Sequence, residues 1–509
     1  TLRWRPLSWL SFNATGGLDL TTNHQYETLR SGGLPSFYAP GWRNSVRETN
    51  YNYTGQIAGV GTFELTPTLL STTTVGGSYT RENTENTECY GEDVTPGTQS
   101  CGAVASSYFL DEDFSEVRTV GGYIQQELAW NDRMFVALGV RGDDNSAFGQ
   151  DFEFAVYPSA SLSWVVAEEP WFPEADFLST LRLRTAWGVS GLRPGFRDAV
   201  TLYDPTTVAS EGGDIPGVSL DVTGNTLLKP ERSTEYEFGF DTGLFDDRLS
   251  VEFTYYDKTS EDALIERRLP GSLGLTEDVF DNLGSIRNTG TELGLFLRVF
   301  ETDDFGLQLG ATNTTLKNEV LDLGEGVDDI VFNRGLQRHT AGYTGGGFWQ
   351  TEVDWDDVNG DGILTLCNVA ANGATCVDEV FLIDADTLLE GTQEKFIGPS
   401  LPTWQRTFSA DLRVFDFMTI STLFEGRGGH YTGNDSEAFR CGFRSTRGCA
   451  AIGSPDATLE EQAAHLADRY LQSAYLYVEK ADFYKWRELA FTFTAPQRLS
   501  QRFSRLDGL

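Results

Sequence analysis

The sequence predicts an all-β protein, and more specifically a large antiparallel β-barrel that crosses a membrane with its strands. Three observations predict this fold class: the composition, a period-two alternation in many segments, and connections that are short at one end of the strands and long at the other. Aromatic residues make up 13% of the 509 residues, beside 54 glycines and only two methionines. That balance favours pleated, turn-rich structure over helix bundles.

The length and the charge of the chain argue against several other classes. A chain of 509 residues exceeds one ordinary globular core, which leaves several domains or one large barrel. We find no run of about 18 apolar residues that could span a bilayer as a helix. The net charge of -37 repels phosphate backbones and argues against nucleic acid as a partner.

Strand alternation is clearest in a hairpin that turns at residues 245–248. Apolar and polar residues alternate on both sides of this turn, so that each strand has one apolar face. The apolar positions are Tyr236, Phe238 and Phe240 before the turn, and Leu249, Val251, Phe253 and Tyr255 after it. The same pattern recurs in hairpins that turn at residues 131–133, at residues 301–304 and at Asp416. We count about fourteen strands in all.

Alternation alone does not separate a membrane barrel from a soluble sandwich, but the connections do. Short turns join the strands at one end, and long connections join them at the other end. The long connections are expected at residues 81–115, 192–231, 268–285, 322–400 and 431–480. This asymmetry is typical of outer-membrane barrels, which have short periplasmic turns and long extracellular loops.

The six cysteines form three close pairs in the sequence, and all of them lie in the long connections. The pairs are Cys89 with Cys101, Cys367 with Cys376, and Cys441 with Cys449. Disulfides in an oxidising compartment are one interpretation, and each would remove on the order of 3 kcal/mol of loop freedom from the unfolded chain. A zinc site is the other interpretation, which the absence of CxxC and the presence of only four histidines disfavour.

A candidate calcium loop lies in the connection at residues 322–400. Asp357, Asn359 and Asp361 supply oxygen ligands at alternate positions, and Gly362 permits the sharp turn. The motif departs from the EF-hand at its twelfth position, which is Asn368. Asp354, Asp356, Asp378 or Glu379 would then have to complete the calcium shell. An Asp/Asn/Gly turn that binds no ion is the alternative, and no other cofactor is expected.

Two further features of the long connections have a functional and a structural interpretation. Residues 458–471 predict a helix with a capping box formed by Thr458 and Glu461, which either packs on the barrel rim or binds a partner. Loop aromatics could stack on a ring-bearing ligand or simply pack locally. These weak candidates for substrate binding are Tyr203, Phe348, Trp349 and Trp355. Trp130 and Phe245 are expected instead at the membrane interface.

Five segments, taken together and in this order, resemble the barrel of a SusC/RagA-type TonB-dependent receptor. They begin at Leu228 (LKPERSTEYEFGF), Asn288 (NTGTEL), Asp357 (DVNGDG), Phe396 (FIGPSLP) and Tyr477 (YVEKADFYKWREL). The resemblance implies a 22-stranded barrel in the outer-membrane lipid, a plug domain inside it, energy delivered through TonB, and often a SusD-like lipoprotein lid. No plug and no TonB box can be seen in residues 1–509, so we expect this sequence to be a partial barrel that lacks the plug and the closing strands.

The resemblance implies import of a nutrient such as a glycan or a peptide. A passive porin is the alternative transport function, and a surface adhesin or scaffold with bridged loops is the alternative outside transport. Catalysis finds no support, because no HExxH, GxSxG or P-loop pattern occurs and His24, His339 and His430 lack any motif around them. The sequence therefore predicts a receptor and not an enzyme.

Overall fold

The computed structural model describes most of the chain. The described residues are 1–30, 41–95, 97, 100–101, 108–149, 154–173, 175–209, 213–268, 278–367, 377–383, 394–415, 417–442 and 455–494. They form two compact units. The first consists of residues 1–164, 186–234 and 261–283, and the second of residues 165–185, 235–260 and 284–509.

Long antiparallel strands make up most of both units. In chain order they are β1 (Leu2–Leu7), β2 (Leu10–Leu29), β3 (Trp42–Thr66), β4 (Leu69–Glu92), β5 (Tyr108–Trp130), β6 (Met134–Asn145), β7 (Ala155–Val165) and β8 (Leu178–Leu192). With β11 (Glu231–Leu244), β12 (Leu249–Glu261), β15 (Ser285–Glu301), β16 (Phe305–Asp322), β23 (Trp404–Val414), β24 (Met418–Gly428) and β27 (Phe483–Phe493), the described residues contain fifteen such strands.

Shorter elements lie in the connections between the long strands. They are β9 (Leu202–Val208), β10 (Ile215–Val222), β13 (Leu264–Arg268), β14 (Asp278–Asn282), β17 (Ile330–Phe332), β18 (Gln337–His339), β19 (Gly347–Gln350), β20 (Val353–Trp355), β21 (Val380–Leu382), β22 (Lys395–Gly398), α1 (Asp435–Gly442), α2 (Leu459–Leu466), β25 (Tyr431–Gly433) and β26 (Val478–Lys480). No described helix has the length and apolarity needed to cross a membrane.

In the first unit, β1 to β7 pair with their neighbours in chain order. Residues that face each other across two antiparallel strands point to the same side of the sheet. Ile124 of β5 faces Val75 of β4 and Val140 of β6. These three side chains are 41–55% exposed, whereas a sandwich would bury such an apolar face against a second sheet. Within the described residues of the first unit, this apolar face is therefore left exposed.

The second unit repeats this arrangement over β15, β16, β23, β24 and β27. Phe408 of β23 faces Ala311 of β16 and Phe424 of β24, and Phe408 is 49% exposed. The opposite face of the same strands is polar, as shown by the hydroxyl contact of 2.6 Å between Thr312 and Thr407. Apolar residues on one face and polar residues on the other confirm the predicted alternation.

The short connections lie where the sequence predicted them. The described turn after β5 contains Asn131 and Asp132, and the turn after β11 contains Phe245, Asp246 and Asp247. All five residues have φ between 50° and 59°, the left-handed region that Asn and Asp tolerate better than other non-glycine residues. Asp416, the predicted fourth turn, lies outside the described residues, between β23 and β24.

The predicted long connection at residues 81–115 is wrong over most of its length. β4 continues to Glu92 and β5 begins at Tyr108, with continuous pairing as far as Gly91 and Tyr108. Alternation failed here because residues 81–88 of β4 are polar at every position. Where neither face is apolar, backbone pairing leaves no period-two pattern in the sequence.

The other long connections exist, but they contain structure of their own. The connection at residues 192–231 contains the β9–β10 hairpin, and the next contains β14 paired with β13. The connections at residues 322–400 and 431–480 contain the remaining small strands and both helices. The predicted helix is confirmed as α2, followed by one π-helical turn at Ala467–Leu471.

Candidate functional site

The two longest connections of the second unit fold together. We call the described residues of 323–403 and 429–482 the loop body. Its core consists of fully or almost fully buried apolar side chains from both connections, so that α2 packs on the first connection. The buried residues are Val353, Leu364, Leu366, Val380, Ala463 and Ala467.

The start of α2 is fixed by the predicted capping box. Glu461 N–H donates to Thr458 Oγ1 at 3.2 Å, and Thr458 N–H donates to Glu461 Oε2 at 3.0 Å. Two of the amide groups that a helix leaves without an internal partner are thereby satisfied. The helix therefore begins at a defined residue and presents Ala463 and Ala467 to the core.

Buried hydrogen bonds in the loop body determine how α2 is placed on the first connection. Gln462 is 1% exposed, and its Oε1 accepts from Leu364 N–H at 2.9 Å while its Nε2 donates to the Gly362 carbonyl at 2.9 Å. Ser473 Oγ donates to the Thr351 carbonyl at 2.7 Å. Because a buried amide left without partners is costly, these contacts fix the register of α2 on the first connection.

A partly open pocket of about 460 Å³ lies in the loop body, and we call it the loop cavity. It is bounded by α1, by the segment from Gln472 to Tyr477, and by the first connection around β17 to β19. Its volume is in the range of ordinary small-molecule sites. The polar side chains that line it are Asn333, Gln350, Asn434, Asp435, Asp468 and Gln472.

The loop cavity is lined by groups that form hydrogen bonds and by no positively charged side chain of the described residues. No lysine or arginine is found among the described residues that line it. Tyr477 is 6% exposed, and burial together with the carboxylates of Asp468 and Glu437 raises the pKa of Tyr477 to about 12. The phenol is thus a neutral hydrogen-bond donor at physiological pH. Phe439, which is 63% exposed, adds an apolar ring surface to the lining.

One amide of the lining is already committed to the fold. Asn434 Oδ1 accepts from Glu437 N–H at 3.2 Å, and Asn434 Nδ2 donates to Glu479 Oε1 at 2.8 Å. Asn434 therefore holds the start of α1 against β26. Side-chain amides and carboxylates of this kind suit hydroxyl, amide or ammonium groups of a ligand.

The predicted loop aromatics are divided between the two units. Tyr203 lies on the β9–β10 hairpin of the first unit and is 61% exposed. Phe348 and Trp349 are buried in β19, and Trp355 is partly buried against the core of the loop body. The geometry of the last three favours local packing, which was the alternative to ligand contact.

Trp349 is the centre of this local packing. Its ring centroid lies 4.7 Å from that of Tyr343 and 5.4 Å from that of Phe396. The Arg338 guanidinium lies over the same ring at 5.1 Å and also pairs with Glu394. Sequence reasoning found Trp349 but missed the loop cavity beside it, because amides and carboxylates spread over 140 residues leave no local motif.

The candidate calcium loop is closed by its own hydrogen bonds. Both carboxylate oxygens of Asp357 accept backbone N–H groups, from Gly360 at 2.9 Å and from Gly362 at 3.0 Å. Asp361 N–H donates to Asn359 Oδ1 at 2.8 Å. Within the described ranges, no group of three His, Cys, Asp or Glu side chains forms a metal-binding cluster. Calcium binding by this loop stays a prediction, and Asn368 lies outside the described residues.

The buried side chain of Glu379 forms hydrogen bonds with residues of the candidate calcium loop and its flank. The side chain is 2% exposed, and its carboxylate accepts from Val358 N–H at 3.2 Å, Thr365 N–H at 2.9 Å and Thr365 Oγ1 at 2.9 Å. Asp378 Oδ1 accepts from Cys367 N–H at 2.7 Å. Two of the predicted supplementary calcium ligands thus have structural partners.

The first predicted disulfide is confirmed. Cys89 and Cys101 are bonded, with their Cα atoms 6.2 Å apart. Cys367 and Cys441 are also disulfide-bonded, and Cys376 and Cys449 lie outside the described residues. The zinc interpretation is therefore wrong for Cys89, Cys101, Cys367 and Cys441.

The histidines have structural surroundings. His24 Nε2 accepts from Arg47 Nε at 2.6 Å, and His339 Nδ1 accepts from Gly346 N–H at 3.1 Å. Burial lowers the pKa of His339. Burial also lowers the pKa of His465, with a smaller contribution from Arg469. The surroundings of His339 and His465 therefore fit a packing role.

The antiparallel strands have one exposed apolar face and one polar face. Short turns join them at one end and long connections at the other. These features define an outer-membrane β-barrel protein. The family model described as TonB dependent receptor-like, beta-barrel, matches residues 2–378. The match covers well over half of the chain, and the chain belongs to this family. The family comprises receptors of the outer membrane and not enzymes, which makes this chain an outer-membrane protein.

Curated relatives share part of this sequence. TonB-dependent receptor P3 of Formosa agariphila is 28% identical over 325 residues, which cover 61% of this chain and 31% of the relative. TonB-dependent receptor SusC of Bacteroides thetaiotaomicron is 26% identical over 263 residues, which cover 48% of this chain and 26% of the relative. The matched region thus spans about a third or less of these relatives.

A solved structure has the same fold. The structure of the RagAB peptide transporter matches with a TM-score of 0.75 and 19% identity, over 98% of this chain and 55% of the matched chain. These findings confirm the resemblance to SusC/RagA-type receptors and the all-β barrel fold class.

Proposed function

We propose that this chain is the barrel portion of a TonB-dependent importer that takes up a nutrient across the outer membrane. Family membership over residues 2–378 carries the proposal. The long connections would be extracellular and the short turns periplasmic, in keeping with the family's architecture. TonB would supply energy, and a SusD-like lipoprotein would cover the extracellular mouth.

The loop body would be the part of this chain that first meets the nutrient. The loop cavity offers side-chain amides, carboxylates, the protonated Tyr477 phenol and the exposed Phe439 ring. Such a lining fits one sugar unit of a glycan or one residue of a peptide, because both present hydrogen-bonding groups on a small apolar frame. A strongly anionic unit would be disfavoured by Asp435 and Asp468 in the same lining.

Uptake measurements would test the proposal. A deletion strain complemented with the wild-type gene should take up fluorescently labelled oligosaccharides or a labelled peptide digest, and a protonophore should abolish that uptake. Uptake that persists with the protonophore would indicate a passive porin. No change in uptake on deletion would favour the adhesin or scaffold.

A separate variant would test whether the loop cavity contributes to uptake. Gln472→Ala should lower uptake at limiting nutrient concentration by roughly tenfold, the consequence of losing one or two hydrogen bonds to the ligand. Phe381→Ala is a matched control, because Phe381 is an exposed residue of the loop body that does not line the cavity. Equal uptake by both variants would remove the loop cavity from the proposal.

A further inference from the structure

Arg406 lies at the edge of the exposed apolar face of the second unit. Arg406 faces Asn313 of β16 and Gly426 of β24. Two residues further along β23, towards the short turn, Phe408 occupies the same face. Val414, at the short-turn end of β23, lies eight positions after Arg406, which corresponds to about 20 Å across the membrane for a strand tilted as in barrels. Arg406 therefore lies near the far boundary of the lipid-facing band, which is about 25 Å tall in such barrels.

Aromatic and neutral groups hold the guanidinium of Arg406. The guanidinium carbon lies 4.6 Å from the ring centroid of Trp404. Arg406 Nε donates to Asn313 Oδ1 at 3.1 Å, and one terminal nitrogen donates to Tyr484 Oη at 3.4 Å. The rings of Trp404 and Tyr484 lie 5.8 Å apart. The guanidinium is thus positioned without a carboxylate.

Four other arginines of the same unit each pair with a carboxylate. Arg287 pairs with Asp257, Arg413 pairs with Glu301 at 2.7 Å, and both Arg427 and Arg487 pair with Glu425 at 2.5 Å. Arg406 has no carboxylate partner among the residues that the structure describes. The positive charge of Arg406 is therefore open to an anion from outside the chain.

We propose that Arg406, with Trp404 and Tyr484, binds the phosphate of a lipid headgroup at the membrane surface. A guanidinium presents a planar fork of donors that matches phosphate oxygens. Trp404 and Tyr484 are the side chains that favour the boundary between lipid and water. The proposal rests on the membrane-spanning fold and not on import, so failure of the proposed function would leave it unchanged.

The position of the site selects a lipid over free phosphate. Phe408, Phe424 and Trp486 lie on the same face, on the acyl-chain side of Arg406, and are exposed. A lipid can place its phosphate on Arg406 and its chains on these rings, whereas inorganic phosphate gains only the ionic contact.

Native mass spectrometry of the full chain would test the site. The protein is exchanged into a neutral detergent, and phosphatidic acid, phosphatidylcholine or inorganic phosphate is added in separate titrations. We expect retention of phosphatidic acid, weaker retention of phosphatidylcholine, whose choline offsets the phosphate charge, and no retention of inorganic phosphate at matched concentration. Equal retention of both lipids, or binding of inorganic phosphate as strong as that of phosphatidic acid, would overturn the proposal.

Variants at Arg406 would show whether this residue is responsible for the retention of phosphatidic acid. Arg406→Gln should weaken retention of phosphatidic acid about tenfold, as expected for loss of one charge-assisted contact. Arg406→Lys should retain part of it, because the charge remains and the fork is lost. Arg413→Gln removes the same charge from the same strand and should retain wild-type binding, which also controls for folding. Retention by Arg406→Gln equal to that of Arg413→Gln would contradict the assignment.

Discussion

The strand walls and the loop body use apolar residues in opposite ways. In the walls, Ile124, Phe408 and other large apolar side chains are about half exposed, because lipid is the medium that they face. In the loop body, Ala463 and Ala467 are completely buried, because that part of the chain faces water. Apolar side chains of the walls are therefore exposed to lipid, whereas those of the loop body are buried away from water. Burial alone does not tell which residues stabilise the chain.

This difference predicts separate stability for the two regions. Backbone pairing holds the walls, and lipid satisfies their apolar face. The loop body instead depends on a small core and on buried hydrogen bonds, as a soluble domain does. A change in that core should unfold the loop body and leave the walls intact.

The largest effect is expected from a charge placed in the core of the loop body. Ala463→Glu buries a carboxylate without a partner and should cost about 3–5 kcal/mol. Hydrogen exchange should show loss of protection in α2, β20 and β21, while β4 and β5 keep theirs. Glu460→Gln, at an exposed position of the same helix, serves as the control. Simultaneous loss of protection in the walls would mean that the two regions are not separate.

A smaller and differently placed effect is expected from the disulfide. The double variant Cys89→Ser/Cys101→Ser opens a link across 12 residues, a constraint worth about 3 kcal/mol in chain entropy. Amide hydrogen exchange should become faster in the part of β4 between Arg81 and Glu92, and remain slow near Ile124. Unchanged exchange at Glu88 would show that backbone pairing alone holds this extension.

The buried carboxylate of Glu379 gives a more moderate prediction. Glu379→Gln replaces an acceptor of three hydrogen bonds by a group with one acceptor oxygen, and should cost about 2 kcal/mol of loop-body stability. Limited proteolysis near residues 357–365 is a suitable measurement. Asp354→Asn, at an exposed position, should change cleavage little, and equal cleavage in the two variants would argue against this role for Glu379.

The smallest effect is expected at the start of α2. Thr458→Ala removes the capping oxygen that accepts from Glu461 N–H and should cost about 1 kcal/mol. Thr458→Ser keeps the oxygen and should behave as the wild type. The thermal midpoint of the loop body, followed by hydrogen exchange, would check both, and a normal midpoint for the alanine variant would show that packing alone fixes the helix.

The walls could be predicted from the sequence because lipid on one face imposes a strict alternation. The hairpin at residues 245–248 and the apolar face of β11 with Tyr236 and Phe238 follow directly from that rule. The extension of β4 to Glu92 could not be predicted, because water on both faces imposes no pattern. Backbone hydrogen bonds are the same for any side chain, and the sequence does not record them.

The loop body was only partly predictable. The capping box at Thr458 is a local signal, and it located α2 correctly. The partner of α2 was not predictable, because Ala463 shares one buried core with Val353 and Val380, which belong to a connection about a hundred residues away. The loop cavity depends on the same long-range packing, so its amides and carboxylates show no spacing that a motif could detect.

Accessibility of single spin labels along β5 would test the central claim most directly. Labels placed in turn at Val120, Tyr123, Ile124 and Gln125, in the protein in lipid vesicles, are exposed to lipid-soluble oxygen and to a water-soluble nickel complex. We predict high oxygen accessibility at Val120 and Ile124, and lower oxygen with higher nickel accessibility at Tyr123 and Gln125. Oxygen accessibility without this alternation, or nickel accessibility highest at Val120 and Ile124, would contradict a lipid-facing apolar wall.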